Sequence, residues 1–300
     1  MKHKLTPTLI LIVIFLITQL FGIGVIYNYI DHEETAIQGE TVFKDLPIGE
    51  RPEMDQETSF IPIILVILAG TVILLLLIKF KAFIIWKLWF LMAVFITSTV
   101  SLGAFMGVKI ALVIALIMSV WKVFKPNPYI HNFSEIFVYA GLAAVFVPIF
   151  NLTSIVILLL LISAYDAYAV WKSKHMIVLA KAQSKANIFA GLLVPYNAKT
   201  GKIKAKKSKK KGSKKKGSKD KVEIRNAILG GGDIGFPLIF AGVILKTYGV
   251  IPSLVIPVFS TMALIGLFYY GEKNKFYPAM PFMSAACFLG LAVIWLVSLL

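Results

Sequence analysis

Residues 226–246 read Asn-Ala-Ile-Leu-Gly-Gly-Gly-Asp-Ile-Gly-Phe-Pro-Leu-Ile-Phe-Ala-Gly-Val-Ile-Leu-Lys, an apolar stretch long enough to cross a bilayer. Within it stands a carboxylate, Asp233, directly behind Gly230, Gly231 and Gly232 and four residues ahead of Pro237. An Asp in the middle of a membrane span costs roughly 2.5 to 3.5 kcal/mol on insertion scales, so an acid kept there marks a functional site. The fold turns on whether the rest of the chain is built of similar spans. The function turns on what Asp233 works with.

The 300 residues are 58% hydrophobic with a mean hydropathy of +0.83, well above the roughly 45–50% apolar share of soluble domains. The expected fold is an all-α polytopic protein integral to the cell membrane. Net charge is +16, but residues 199–221 hold thirteen lysines against Asp220. The basicity is therefore local, which argues against nucleic-acid binding. With no apolar content to bury, the stretch from Lys199 to Lys221 is expected to be disordered and to touch anionic lipid. The single cysteine, Cys287, excludes an intramolecular disulfide. His3, His32, His131 and His175 have no Cys or carboxylate at metal-ligand spacing, so no metal or other cofactor is expected. No Gly-Lys-Ser/Thr follows the glycines, which disfavours a phosphate-binding loop.

Apolar runs separated by polar or proline-bearing turns divide the chain into nine expected transmembrane helices. The first covers 8–29, and its length and lack of a small-residue cleavage site favour an uncleaved helix over a signal peptide. An acidic loop, 31–59, leads to the second at 60–78. Residues 82–124 are about twice too long for one span at 1.5 Å per residue, and divide near 103–107. A turn is expected at 126–131, then two more spans separated near 148–154, the sixth ending at Trp171. Residues 175–196 read as a helix lying on the membrane, with Met176, Ile177, Ile188, Phe189, Leu192 and Leu193 towards lipid. The seventh span covers 227–245, the eighth 250–269, and the ninth begins at Pro278. The chain thus has three parts: 1–171 with six spans, a loop at 172–225, and 226–300 with three spans. Placing the N-terminus in the cytoplasm and the C-terminus outside puts all but Lys44, Arg51, Lys109 and Lys246 of the 31 Lys and Arg on the cytoplasmic side, as the positive-inside rule asks.

A second intramembrane acid, Asp166, lies six residues before Lys172, about 9 Å from the cytoplasmic end of its helix. Asp233 lies eight residues after Arg225, about 12 Å in from the same face. The sixth and seventh spans run in opposite directions, so the acids reach nearly the same depth. Gly230, Gly231 and Gly232 allow close helix approach. Pro237 leaves the Asp233 carbonyl without its usual donor, which suggests a small hydrated pocket. Two carboxyls within reach of each other hold one proton between them. One can then activate water while the other donates to a carbonyl, which is peptide hydrolysis without metal or covalent intermediate. The same pair could instead relay protons or cations in a coupled transporter or channel, or stand idle in a binding protein.

Tyr165-Asp166 late in the sixth span, Gly230-Gly231-Gly232-Asp233 as a G-x-G-D in the seventh, and Pro278-Ala279-Met280-Pro281 opening the ninth occur in that order. They resemble the three signatures of the presenilin and signal peptide peptidase family of intramembrane aspartyl proteases. The resemblance implies a presenilin-like fold, catalytic roles for Asp166 and Asp233, and support of the pair by Tyr165. It also implies substrate binding at Gly230, Gly231, Gly232, Pro278, Ala279 and Met280. The family has P-A-L where this chain has Pro278-Ala279-Met280, a swap that keeps volume and apolarity. The layout is most similar to a stand-alone microbial or archaeal presenilin homologue. Its expected substrates are transmembrane peptides or retained signal peptides, and obligate protein partners are not expected.

Overall fold

A backbone in lipid has no water to satisfy it, so each apolar run closes into a helix. The computed structural model describes residues 5–173, 189–198, 223–271 and 277–299. The first helix, α1 (Leu5–Tyr29), leads into the outer loop. There β1 (Ile30–Asp31) pairs antiparallel with β2 (Val42–Phe43) around a short helix, α2 (His32–Gln38). Next come α3 (Phe60–Lys79), α4 (Phe83–Gly103), α5 (Val108–Phe124), α6 (Pro128–Phe146) and α7 (Leu152–Tyr168). The last of these continues into a widened π-helical turn, Ala169–Ser173. Two paired strands follow, β3 (Gly191–Ala198) and β4 (Glu223–Gly230), then α8 (Gly231–Tyr248), α9 (Val250–Ser253), α10 (Val255–Tyr270) and α11 (Met280–Ser298).

Among the described residues, seven helical segments are long and apolar enough to cross a membrane: Leu5–Tyr29, Phe60–Lys79, Phe83–Gly103, Pro128–Ile149, Leu152–Lys172, Val250–Tyr270 and Met280–Ser298. The protein is a largely helical, multi-pass integral membrane protein. Two further segments expected to be spans, α5 and α8, are helices of 17 and 18 residues.

Three expectations need correction. The fold is not all helix, because β3 and β4 pair antiparallel with Gly191 opposite Gly230 and Tyr196 opposite Arg225. Residues 191–196, expected at the end of a membrane-surface helix, are therefore strand; residues 175–188 of that expected helix and the lysine tract lie outside the described residues. The boundary at 225/226 falls inside β4, and the helix expected to be the seventh span starts at Gly231 rather than 227. Finally, the turn expected at 126–131 is mostly helix. Asn127 caps it by accepting the Tyr129 N–H at 3.0 Å, and Pro128 occupies the first turn, where no N–H donor is needed.

The reversal near 148–154 is held by a reciprocal cap at the start of α7. Asn151 Oδ1 accepts the Ser154 N–H at 2.8 Å, and Ser154 Oγ accepts the Asn151 N–H at 3.0 Å. At the centre of the molecule is α8, buried at Ile234, Gly235 and every residue from Pro237 to Leu245. It is surrounded by α1, α6, α7, α10 and α11. At the edge is α3, in which only Ile63 is buried; its leucines and isoleucines face outward, as lipid permits. Close packing of α4 on α6 depends on Gly141, where an added Cβ would sit 1.8 Å from the Thr97 carbonyl oxygen.

Candidate active site

Asp166 stands near the end of α7, just before the π-helical turn, the kind of local widening that often accompanies functional sites. Its Oδ2 accepts the Met280 N–H at 3.1 Å, and the Ala279 backbone also reaches the carboxyl. Met280 is the first residue of α11, whose opening N–H groups have no partner within the helix, so a carboxylate is a natural cap. One turn earlier on α7, Ser163 Oγ donates to Ser284 Oγ on α11 at 2.8 Å. Tyr165 Oη donates to Thr71 Oγ1 on α3 at 3.1 Å, so its hydroxyl ties α7 to the outer helix.

Asp233 is held differently. It lies in the first turn of α8, at a junction where β4 becomes helix without an intervening loop. Residues 227–230 are extended because they pair with 191–194, which puts Asp233 at a helix start rather than two turns inside one. Its carboxyl is reached by the Gly230 backbone N–H. The three glycines are not equivalent. An added Cβ would lie 2.3 Å from Tyr139 Oη at Gly231, 3.1 Å from Asp233 Oδ2 at Gly230, and an ordinary 3.6 Å from Phe236 at Gly232. Gly231 also donates its N–H to the Ala190 carbonyl at 3.2 Å, locking the start of α8 onto the approach to β3.

Pro237 cannot donate to the Asp233 carbonyl. The next carbonyl, that of Ile234, accepts from buried Gln19 Nε2 of α1 at 2.9 Å. A side chain, which the sequence reading passed over, thus meets backbone beside the proline.

The two carboxyls are near enough for their charges to act on one another, on helices that pack together. Pro278, Ala279 and Met280 are buried beside them, whereas Gly232 is exposed and Gly230 and Gly231 are half-buried. Behind Asp233, α6 carries a buried polar group that sequence reasoning missed. Lys122 of α5 is ion-paired with Glu135, and both are almost wholly buried, at 2% and 1% exposure. The rule that singled out Asp166 and Asp233 could have found Glu135, a third acid in an apolar run. No three His, Cys, Asp or Glu side chains cluster as metal ligands among the described residues.

A helical membrane protein in which the adjoining helices α7 and α8 carry two acids that act on one another has the architecture expected of an intramembrane aspartyl protease. The family model described as signal-peptide peptidase, presenilin aspartyl protease matches residues 41–299, and the chain belongs to that family. It is similar in fold to a presenilin family intramembrane aspartate protease solved in two crystal forms. In space group C222 the TM-score is 0.59 at 20% identity, covering 96% of this chain and 98% of the other. In space group P2 the TM-score is 0.57 at 20% identity, covering 94% and 95%. No curated protein matches the sequence significantly. The chain is accordingly an aspartic endopeptidase of the membrane, and the transporter reading finds no support.

Proposed function

We propose that Asp166 and Asp233 are the catalytic pair and hydrolyse peptide bonds of transmembrane helices or membrane-retained signal peptides. The observation that carries this is the placement of two acids on the packed helices α7 and α8, near enough for their charges to act on one another. The pair shares one proton: the ionised carboxyl takes a proton from water as its oxygen attacks the scissile carbonyl carbon, and the protonated one donates to the carbonyl oxygen. Collapse of the tetrahedral intermediate breaks the C–N bond as a proton passes to the leaving nitrogen. The acids titrate together, so neither role belongs to one Asp alone, and turnover is expected to be bell-shaped in pH.

An unwound substrate segment is placed beside Gly230, Gly231 and Gly232 and the Pro278-Ala279-Met280 segment. Pro278, Ala279 and Met280 are the substrate-contacting residues of that segment, held beside Asp166 by the Met280 N–H. Tyr165 supports the pair at one remove, by fastening α7 to α3 through Thr71.

With α5 and α8 counted, the chain crosses the membrane nine times, N-terminus cytoplasmic and C-terminus external. The distribution of Lys and Arg favours this orientation, and the lengths of α5 and α8 favour the count. Six spans precede the 172–225 segment and three follow it. The Lys199 to Lys221 tract meets anionic lipid, and no obligate protein partner is required. The test is cleavage of a single-span reporter by purified protein in detergent. Asp166→Asn and Asp233→Asn should each lower cleavage by about 10³-fold, and near-parental cleavage by either variant would overturn the pairing.

A further inference from the structure

A fully buried ion pair is a poor source of stability, since apolar residues of like volume serve as well or better. The Lys122–Glu135 pair therefore calls for another explanation. Glu135 Oε1 takes the Lys122 ammonium, which also lies over the Phe90 ring at 5.5 Å. His131 Nε2 stands 3.7 Å from the same oxygen. Among the described residues the other oxygen, Oε2, has no hydrogen-bond partner in good geometry, and neither does the buried hydroxyl of Tyr139. The two belong to residues one turn apart on α6, within reach of each other, and i, i+4 residues share a helix face. The Tyr139 hydroxyl also presses against Gly231 and lies within electrostatic range of Asp233. It is a single donor with two carboxyls in range, and Gly231 beside it has no room for a Cβ.

The start of α6 also holds the strand that borders the site. His131 Nε2 meets the Gly191 carbonyl at 2.8 Å. Asn132 brackets Leu193, donating to its carbonyl and accepting from its N–H, both at 2.9 Å. One helix thus grips β3 with its first turn and faces Asp233 with its third. The charged groups that act on Tyr139 are Glu135 from α6 and Asp233 from α8, and Glu135 is in turn met by Lys122 of α5 and His131 of α6.

We propose that Tyr139, backed by the Lys122–Glu135 pair, is a positioning residue for Asp233: its hydroxyl passes between Glu135 Oε2 and the Asp233 carboxyl and orients the latter for proton transfer. The proposal rests on the catalytic reading of Asp233. Glu135, ion-paired with Lys122, accepts the hydroxyl when Asp233 does not, so the tyrosine stays pointed at the site. Unpaired buried polar atoms are otherwise rare and costly, and this exchange gives both a partner in turn.

The test is a kinetic cycle on the full-length protein in detergent. Tyr139→Phe should lower kcat about tenfold, a barrier change of one transition-state decade, while KM and Tm change little. Lys122→Met/Glu135→Leu, which replaces the ion pair by apolar side chains, should fold and lower kcat several-fold. Adding Tyr139→Phe to it should cost little more, since the hydroxyl would already have lost its second partner. Tyr129→Phe, at an exposed site on the same helix, serves as the control and should match the parent. Unchanged kcat in Tyr139→Phe, a loss seen only in KM or Tm, or strict additivity of the changes would overturn the proposal. If Asp233→Asn itself kept turnover, the catalytic reading would fall first, which separates the two failures.

Discussion

The two acids are held by opposite means. Asp166 projects from a long regular helix and is fixed from outside by the opening N–H of a distant segment, at Met280. Asp233 belongs to the opening turn of its own helix, at a strand-to-helix junction, with a tyrosine and a buried ion pair behind it. One acid depends on where α11 begins, the other on how β4 ends. In a helix interior a side chain inherits its direction from the helix, whereas at a junction it inherits it from every strand bond and steric contact that sets the junction.

The largest test of this contrast removes each acid in turn. Asp166→Asn and Asp233→Asn should each reduce cleavage by about 10³-fold, near the middle of the range for losing a general acid or base, measured by reporter turnover. If only one mattered, the symmetry of the pair would be broken. Next in size, Lys122→Met alone should destabilise the protein by roughly 3 to 5 kcal/mol because it leaves Glu135 buried without its counter-ion, whereas Lys122→Met/Glu135→Leu should stay near the parent. Thermal unfolding in detergent checks both, and the comparison isolates the Asp233 side, since among the described residues no such pair backs Asp166.

A glycine series then grades the junction itself. Gly231→Ala should cost about tenfold or more in turnover, because its Cβ would meet the Tyr139 hydroxyl at 2.3 Å; Gly230→Ala should cost less, at 3.1 Å from a carboxyl that can shift; Gly232→Ala should stay within about twofold. Equal losses at all three would mean that backbone freedom, not local space, is what the glycines supply. The smallest expected effect lies on the other side. Tyr165→Phe should lower stability by about 1 kcal/mol through loss of its bond to Thr71, and Thr71→Val should not add fully to it.

Much of this was legible in residues 226–246 and their counterparts. Asp166 and Asp233 stand out because acids are costly in lipid, and the divisions near 103–107 and 148–154 follow from span length and from Pro148 and Asn151. The β3–β4 pair was not legible. Residues 191–196 and 227–230 of its strands read as helix or span on apolarity alone, because a short apolar run has no period that separates strand from helix. Glu135 was open to the same reasoning as the two aspartates. What could not be read was its pairing with Lys122 across two helices, or that Tyr139 would face Gly231.

Taken alone, the chain's residues determined a helical membrane protein, the two acids and the order of the three motifs. Apolar length and the desolvation cost of a carboxylate are properties of a segment, present before anything packs. Only the tertiary structure decided that Asp233 begins a helix, that Met280 supplies the N–H to Asp166 and that Gly231 is the glycine with no space to spare. Each of those depends on which backbone lies beside which, and residues 139 and 231, or 166 and 280, become neighbours only after the helices have packed.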